Sequence, residues 1–513
     1  MRFYYESESE KTVENKYPFC QITRSSWNDW GYYATFFLVC FVDETQNIDF
    51  GALKIGKSGL ETPDYYNGDK EYVDLEPTFV ELNKDYFSVG GSSEYYKKMY
   101  KLGQTNTDLQ QEILAGLRDI VNKDSLYSIN ENEDIFRKSL IRNSSKKTIK
   151  EVFRQSLDTG FEELTPYDFS IQLKNELFSQ PMTFSVSPKK LPQSNIHTII
   201  GRNGVGKTNL FRSIIGELSH VEIPEDTDVI ESFDGKEKIS SVLALSYSIF
   251  DTTLPKEDNF ENDIPYKFIG FGKKGESLSK PLDKIIEDQF LNVVDSIRVN
   301  EDLSKILGEC IQTLNSDPIF CTLSVMDWFS KKNISNLKTL YSKLSSGHKI
   351  VLLSLLQIIN NVEPNSLFLI DEPELNLHPP LISSFIQAIL VILRKRNAVA
   401  IIATHSPVIV QECSSDCVWI IDRSVSNITI KRPTLKTFGE NVGLITYDVF
   451  SLEVKNSGYM KIIKDAISEY DKSFFGQNQN VNESLKFLIN EFNNKLGDES
   501  VSNIANILSL KRK

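Results

Sequence analysis

Eight residues, GRNGVGKT at 201–208, constrain this 513-residue chain more than any others. They follow a short apolar run, HTII at 197–200, and lead into TNLFRSIIGEL at 208–218. In the second segment Leu210, Ile214, Ile215 and Leu218 recur at helical spacing. A buried strand, a glycine-rich turn and an amphipathic helix in that order aim backbone amides and a helix N-terminus at one anion. Gly201 and Gly206 let the backbone turn tightly and approach phosphate without a Cβ in the way. The expected binding segment is Gly201, Arg202, Asn203, Gly204, Val205, Gly206, Lys207, Thr208 and Asn209. Lys207 would neutralise the outer phosphates of a nucleoside triphosphate, and the Thr208 hydroxyl is placed for Mg²⁺.

Three further strings follow. LFLIDEPE at 367–374 sets two adjacent carboxylates directly after four apolar residues. That placement is costly unless the carboxylates bind something. Asp371 is expected to hold Mg²⁺ through water, and Glu372 to orient or deprotonate an attacking water. IIATHSP at 401–407 places His405 at the carboxyl end of another buried strand, facing the same crevice, where it can contact a terminal phosphate. His405 lies 33 residues beyond Glu372, room for one helical crossover. LSSGHK at 344–349 opens the apolar helix IVLLSLLQII, 26 residues before Asp371. Ser345, Ser346 and the amide of Gly347 would offer donors to a γ-phosphate from that helix N-terminus. A helix so placed points away from its own phosphate loop, so the phosphate it serves is expected to belong to a second copy. Lys207, Glu372 and His405 are thus the expected catalytic residues, with Thr208 and Asp371 as metal ligands and ATP and Mg²⁺ as cofactors.

Around these strings the chain reads as an α/β protein. SLFLI at 366–370 and AVAIIAT at 398–404 are continuous apolar runs suited to buried parallel strands, with PLISSFIQAILVILRKR at 380–396 as the crossover helix. SVLALSYSIF at 241–250 reads as another strand, 281–343 as mostly helical, and CVWIIDR with NITIKRP as a closing hairpin. The expected organisation is an N-terminal β unit with a helical insertion over 1–185, a core over 186–440 with a helical lid at about 252–343, and a helical extension over 441–513. ATFFLVCFV and FGALKIG, parted by DETQN, read as a hairpin. Trp27 and Trp30 read as packing anchors beside it. Residues from Glu94 to Leu157 read as helical, apart from polar stretches at 122–133 and 142–148 that read as loops. No repeat or long heptad run is present.

Net charge is −13, which argues against wholesale nonspecific DNA binding, since that needs clustered Lys and Arg. The charged start MRFYYESESE lacks a signal-peptide apolar run, and TFFLVCFV at 35–42 is too short to span a bilayer. A cytoplasmic protein with no membrane partner is expected. Six scattered cysteines include one close pair, Cys413 and Cys417, and no second Cys or His pair to complete a zinc site. Reduced, partly buried thiols are expected.

Taken as a set, the four strings resemble those of the ABC-type P-loop ATPases: 201–208 as Walker A, 344–348 as signature, 367–372 as Walker B and His405 as switch histidine. DEPELNLHP followed by ATHSP is similar to the soluble SMC, RecF and OLD groups rather than to transporter subunits. That resemblance, over about 186–432, implies a mainly parallel sheet with an antiparallel β subdomain, a helical lid, and a head-to-tail homodimer around two ATP molecules. Asn376 and His378 would lie in the loop facing the partner copy. A transporter-type Gln loop is not evident, and Ser248 or Asp251 stand where a related strand end approaches the metal. The 138 residues between Lys207 and Ser345 leave no room for an SMC coiled coil. Residues 433–513 are too short for a fused TOPRIM nuclease and lack its Asp-x-Asp cluster. The compact lid and FGENVGLITYDVF after the core look like the stand-alone ATPases of bacterial anti-phage defence, the Septu and retron-associated PtuA group, whose partner is an HNH nuclease. The implied function is a regulatory ATPase controlling a separate effector nuclease. The alternatives are a RecF-like maintenance ATPase that itself binds DNA, and a transporter's nucleotide-binding subunit.

Overall fold

A computed structural model describes the chain apart from residues 7–16, 27, 30, 65–67, 142–146, 161–163, 175–179, 225–226, 247–253, 257, 260–263, 271–281, 324, 326–328, 330–333, 376, 424–427, 457, 474–479 and 512–513. Trp27, Trp30, Ser248, Asp251 and Asn376 therefore lie outside the described residues.

A seven-stranded sheet forms the centre, in the order Tyr266–Gly270, Val242–Ser246, Leu367–Asp371, Val399–Thr404, Ile196–Gly201, Val418–Arg423, Ile428–Lys431. Every pairing is parallel except the last, which is the antiparallel closing hairpin. The three middle strands, at 367–371, 399–404 and 196–201, are buried at every position. Helices cover both faces of a parallel sheet, so its strands read as unbroken apolar runs rather than alternating ones. Helix Pro379–Lys395 makes the crossover between two of them and buries Leu381, Ile382, Phe385, Ile386, Ile389, Ile392 and Leu393. Helices Leu282–Val299, Glu301–Leu314, Ile334–Lys343 and Ser346–Asn361 add to the same core.

A three-stranded antiparallel sheet, Met182–Val186, Tyr167–Leu173 and Ile230–Asp234, lies over the other face. Its Phe169, Phe184 and Phe233 share a core with Leu210, Phe211, Ile214 and Ile215 of helix Lys207–Ser219. Burying each such side chain stabilises by roughly 1.5–3 kcal/mol. The expected boundary at 185 therefore falls inside this sheet. Strands 167–173 and 182–186 pack with the phosphate-loop helix because their inward aromatics have their apolar partners there. The expected lid also needs correction: Tyr266–Gly270 is an edge strand of the central sheet, parallel to Val242–Ser246, and the helices begin at Leu282. Of the 241–250 run, Val242–Ser246 is strand, and 247–250 lie outside the described residues.

The N-terminal six-stranded sheet runs Thr78–Phe79, Arg2–Glu6, Phe19–Arg24, Thr35–Phe41, Asn47–Lys57, Tyr86–Gly90. It contains the expected hairpin, Thr35–Phe41 against Asn47–Lys57. Helices Ser93–Thr105 and Thr107–Gly116 pack on it through a separate apolar cluster. The stretch 122–133, expected as loop, contains helix Asp124–Asn130, because Leu126 and Tyr127 find burial that the polar sequence did not advertise. The expected loop at 142–148 is described only at its end, where 147–148 are helical. Thr148 donates to Glu363 Oε2 (2.8 Å) and the Tyr167 hydroxyl to the Asn397 carbonyl (3.0 Å), tying these segments to turns at the rim of the central sheet.

After the hairpin, helix Val442–Asn456 docks on the core through the fully buried Ile445. Helices Gly458–Ser473, Val481–Glu491 and Asp498–Lys511 enclose a small cluster of their own. Among the described residues no helix is long and apolar enough to cross a membrane. The cysteines are free, five of them buried and Cys321 exposed.

Candidate nucleotide site

Sheet order assembles the site. Strands 367–371, 399–404 and 196–201 are neighbours and parallel, so their carboxyl ends, carrying Asp371, His405 and the glycine loop, meet at one edge. Register sharpens this: Asp371 stands opposite Ala403, and Ile200 opposite Thr404.

Gly201 admits no side chain, since a Cβ there would stand 2.2 Å from the Ile421 carbonyl oxygen. Gly204 and Gly206 adopt φ of 77° and 103°, and a Cβ on either would meet nothing within 4 Å. The loop is thus held tightly at its base and open at its crest, a concavity whose amides an anion can reach. Asn203 and Gly204 are exposed at that crest, while Val205 turns its side chain into the core. The Asn209 side chain donates to Asp228 Oδ2 (2.8 Å), directing it away from the loop crest. Of Val205 and Asn209, it is the backbone that is left for a ligand.

Lys207 is 5% exposed, and its Nζ bonds to the carbonyls of Gly201 (3.2 Å) and Arg202 (3.3 Å). Burial lowers its pKa, opposed by Glu372, Asp371 and Glu374. The same Nζ lies 2.6 Å from His405 Nε2, which also lies 3.0 Å from Glu372 Oε1. One ring nitrogen cannot accept from the ammonium and donate to the carboxylate at once. Burial and the Lys207 charge push His405 towards its neutral form, against the pull of Glu372 and Glu374. We therefore assign Nε2 as the acceptor of the Lys207 proton, with Glu372 drawn in by the lysine's charge. An anion that engaged Lys207 would release this nitrogen.

Thr208 Oγ1 donates to Asp371 Oδ2 (2.9 Å). A hydroxyl beside a carboxylate is the hard-oxygen donor set that Mg²⁺ prefers, so the residues present fit that ion as the loop fits a phosphate chain. Glu372 has φ of 45°, the left-handed region that a non-glycine residue enters only when its surroundings impose it. Its amide bonds the Ala403 carbonyl (2.9 Å), so the backbone is fixed while the side chain is turned into the crevice.

Sequence reasoning missed Glu374. Its Oε1 accepts from both the Thr404 hydroxyl and the His405 amide (2.7 Å each), locking the turn that carries the histidine. The signal was present as a third carboxylate within DEPE, two residues past Glu372.

Ser345, Ser346 and Gly347 form a separate group. Ser345 caps helix Ser346–Asn361, with Ser345 and Ser346 exposed and Gly347 buried. This helix leads through a short turn into strand Leu367–Asp371. Among the described residues, no hydrogen bond joins 345–347 to Lys207, Thr208, Asp371, Glu372 or His405. Around Ser345 stand Asp317, His348 and, on the loop after Walker B, the exposed His378.

The family described as "AAA domain, putative AbiEii toxin, Type IV TA system" matches residues 333–411, a span from just before Ser345 to just past His405. Among solved structures the chain is similar to the RNase-L Inhibitor, at 13% identity and TM-score 0.27 over 52% of this chain. It spans 40% of that protein's length. It is likewise similar to the SMC head domain from Thermotoga maritima, at 14% identity and TM-score 0.27 over 53% of this chain and 99% of that one. At these scores the superpositions carry no argument. Protein ea59 of Escherichia phage lambda is 32% identical over 474 residues, covering 86% of this chain and 88% of that protein. On that extent of identity the chain, built around a P-loop ATPase core, belongs to the family of phage lambda Protein ea59.

Proposed function

We propose that this chain is an ATPase whose nucleotide occupancy sets its self-association. The reading rests on one observation: Lys207, Thr208, Asp371, Glu372 and His405 converge on one crevice, while among the described residues the exposed Ser345 helix end bonds to none of them. In this reading the corresponding helix end of another copy supplies the donors that face the terminal phosphate.

In this reading the loop amides and Lys207 hold the β- and γ-phosphates. Thr208 and Asp371 would hold Mg²⁺, which neutralises phosphate charge when bound. Glu372, its backbone turned into the crevice, orients the attacking water and accepts its proton. His405, released from Lys207 by the incoming phosphate, takes up a proton from solvent at Nε2 and donates it in a hydrogen bond to the terminal phosphate. Ser345 of the second copy donates to that same phosphate.

Closure of such a dimer would restrain or position a separate effector. A nuclease acting in trans, of HNH class, is favoured by the resemblance to stand-alone defence ATPases and by a C-terminal segment whose elements, among the described residues, are helices.

The test uses the full chain with Glu372→Gln. Mg²⁺-ATP should convert it to a dimer in light scattering after gel filtration, while turnover falls at least a hundredfold. Mixing Lys207→Ala with Ser345→Arg, each inactive alone, should restore one working composite site. Normal turnover in Glu372→Gln, or no recovery on mixing, would overturn the reading.

A further inference from the structure

The group around Ser345 is a continuous hydrogen-bonded chain of three residues, Ser345 and His348 at the start of one helix and Asp317 ahead of another. Ser345 Oγ lies 2.5 Å from His348 Nδ1, and His348 Nε2 lies 3.1 Å from Asp317 Oδ1. The His348 and Asp317 side chains are each 4% exposed. Asp317 is fixed in turn by the amides of Ile319 (2.9 Å) and Phe320 (3.3 Å), and the Phe320 ring lies against the imidazole with centroids 5.2 Å apart. Among the described residues the titratable groups facing His348 are Asp317, before helix Pro318–Leu323, and His378, which caps helix Pro379–Lys395.

Donor and acceptor roles follow from this geometry. The Asp317 oxygen accepts, so His348 Nε2 carries the proton. In a neutral ring Nδ1 is then an acceptor, and the Ser345 hydroxyl must donate to it. In that state Ser345 turns its proton inward and presents lone pairs to solvent, which repel a phosphate oxygen. If His348 takes up one proton, both ring nitrogens donate, the Asp317 carboxylate balances the charge, and the Ser345 hydroxyl is free to rotate outward as a donor.

We propose that Asp317 and His348 are positioning residues that set the direction of the Ser345 hydroxyl, so that engagement of a second copy's γ-phosphate takes up a proton at His348. This deepens the composite-site reading and rests on it.

The test is ATP-driven association of the full chain carrying Glu372→Gln, measured by analytical ultracentrifugation from pH 6 to 8.5, alone and with His348→Gln or Asp317→Asn. Asp317→Asn retains an oxygen for the Ile319 and Phe320 amides, so it guards against loss of fold. Relative to both variants, the parent should associate more tightly by up to about tenfold per unit fall in pH, the slope of one proton. At low pH the variants should be weaker by roughly tenfold or more. Equal slopes in parent and variants would overturn the relay alone. No association in any of them would overturn the dimer reading, and this role with it. Selective ¹⁵N-histidine NMR of the nucleotide-free chain checks the relay without association: a His348 ring protonated at Nδ1 and bare at Nε2 would overturn it. The ligand atoms of Asp317, His348 and His378 also lie within 4.8 Å of one another, a spacing that could close on a metal ion. Tight one-to-one Zn²⁺ binding by calorimetry, abolished by His378→Ala, would replace the relay with a metal site.

Discussion

His197 shows how a residue can be mistaken for local sequence when its role is tertiary. It sits within HTII, one strand position from the start of the parallel ladder, and is fully buried beside Arg432, with its Nε2 donating to the Ser185 carbonyl (3.2 Å). Burial first and the Arg432 charge second depress its pKa to about 4. The unfolded chain, with an ordinary imidazole near 6.5, therefore binds more protons than the folded one between those values. Stability contributed by the neutral ring is present above about pH 6.5 and is lost as pH falls towards 4. At pH 5 the loss is about 2 kcal/mol. Urea unfolding should show a midpoint that drops between pH 7 and 5, with His197→Gln showing a shallower drop; parallel pH profiles would count against the assignment.

At the level of elements, the turn after strand Val399–Thr404 carries His405 but does not hold it in place. Glu374 does, from the neighbouring strand's extension, through the Thr404 hydroxyl and the His405 amide. Glu374→Ala should leave ATP affinity close to that of the parent, because Lys207 and the loop are untouched. Turnover should fall roughly tenfold or more if His405 serves the terminal phosphate as proposed, since the substitution would misplace it. Paired measurements of nucleotide Kd and kcat separate the two; an equal loss in both would mean that Glu374 shapes the loop rather than the histidine. The Ser345 helix shows the same dependence on a neighbour, its capping serine bonding to a histidine three residues on that Asp317 anchors from the turn before helix Pro318–Leu323.

Across the whole molecule, the N-terminal unit meets the core through a few buried polar contacts. Thr148 donates to Glu363, a carboxylate 6% exposed in the turn between helix Ser346–Asn361 and strand Leu367–Asp371. That turn joins the Ser345 helix to the strand bearing Asp371 and Glu372. Thr148→Val removes the donor and should cost about 1–3 kcal/mol in global unfolding. Adding Glu363→Gln should not double the loss, because the two act on one contact. A fully additive pair, read by chemical denaturation of all four forms, would show that the contact is incidental.

GRNGVGKT, LFLIDEPE and IIATHSP were legible as chemistry because each is local: a turn needing glycine, or a polar group placed where an apolar strand ends. The parallel order of the strands followed from unbroken apolar runs separated by a helix. Glu374, Asp317 and His348 were not legible as partners, since a carboxylate two residues past Glu372 and a histidine after Ser-Ser-Gly have no local signature. The helix at 124–130 and the strand at 266–270 were also hidden, as their apolar contacts come from far along the chain. The residue types that could bind a triphosphate were determined by the sequence alone. Which of them share a crevice, which way their protons point, and that Ser345 stands apart from its own loop were decided by the tertiary structure, because hydrogen bonds between strand ends and helix caps are set by sheet order and packing rather than by neighbours in the chain.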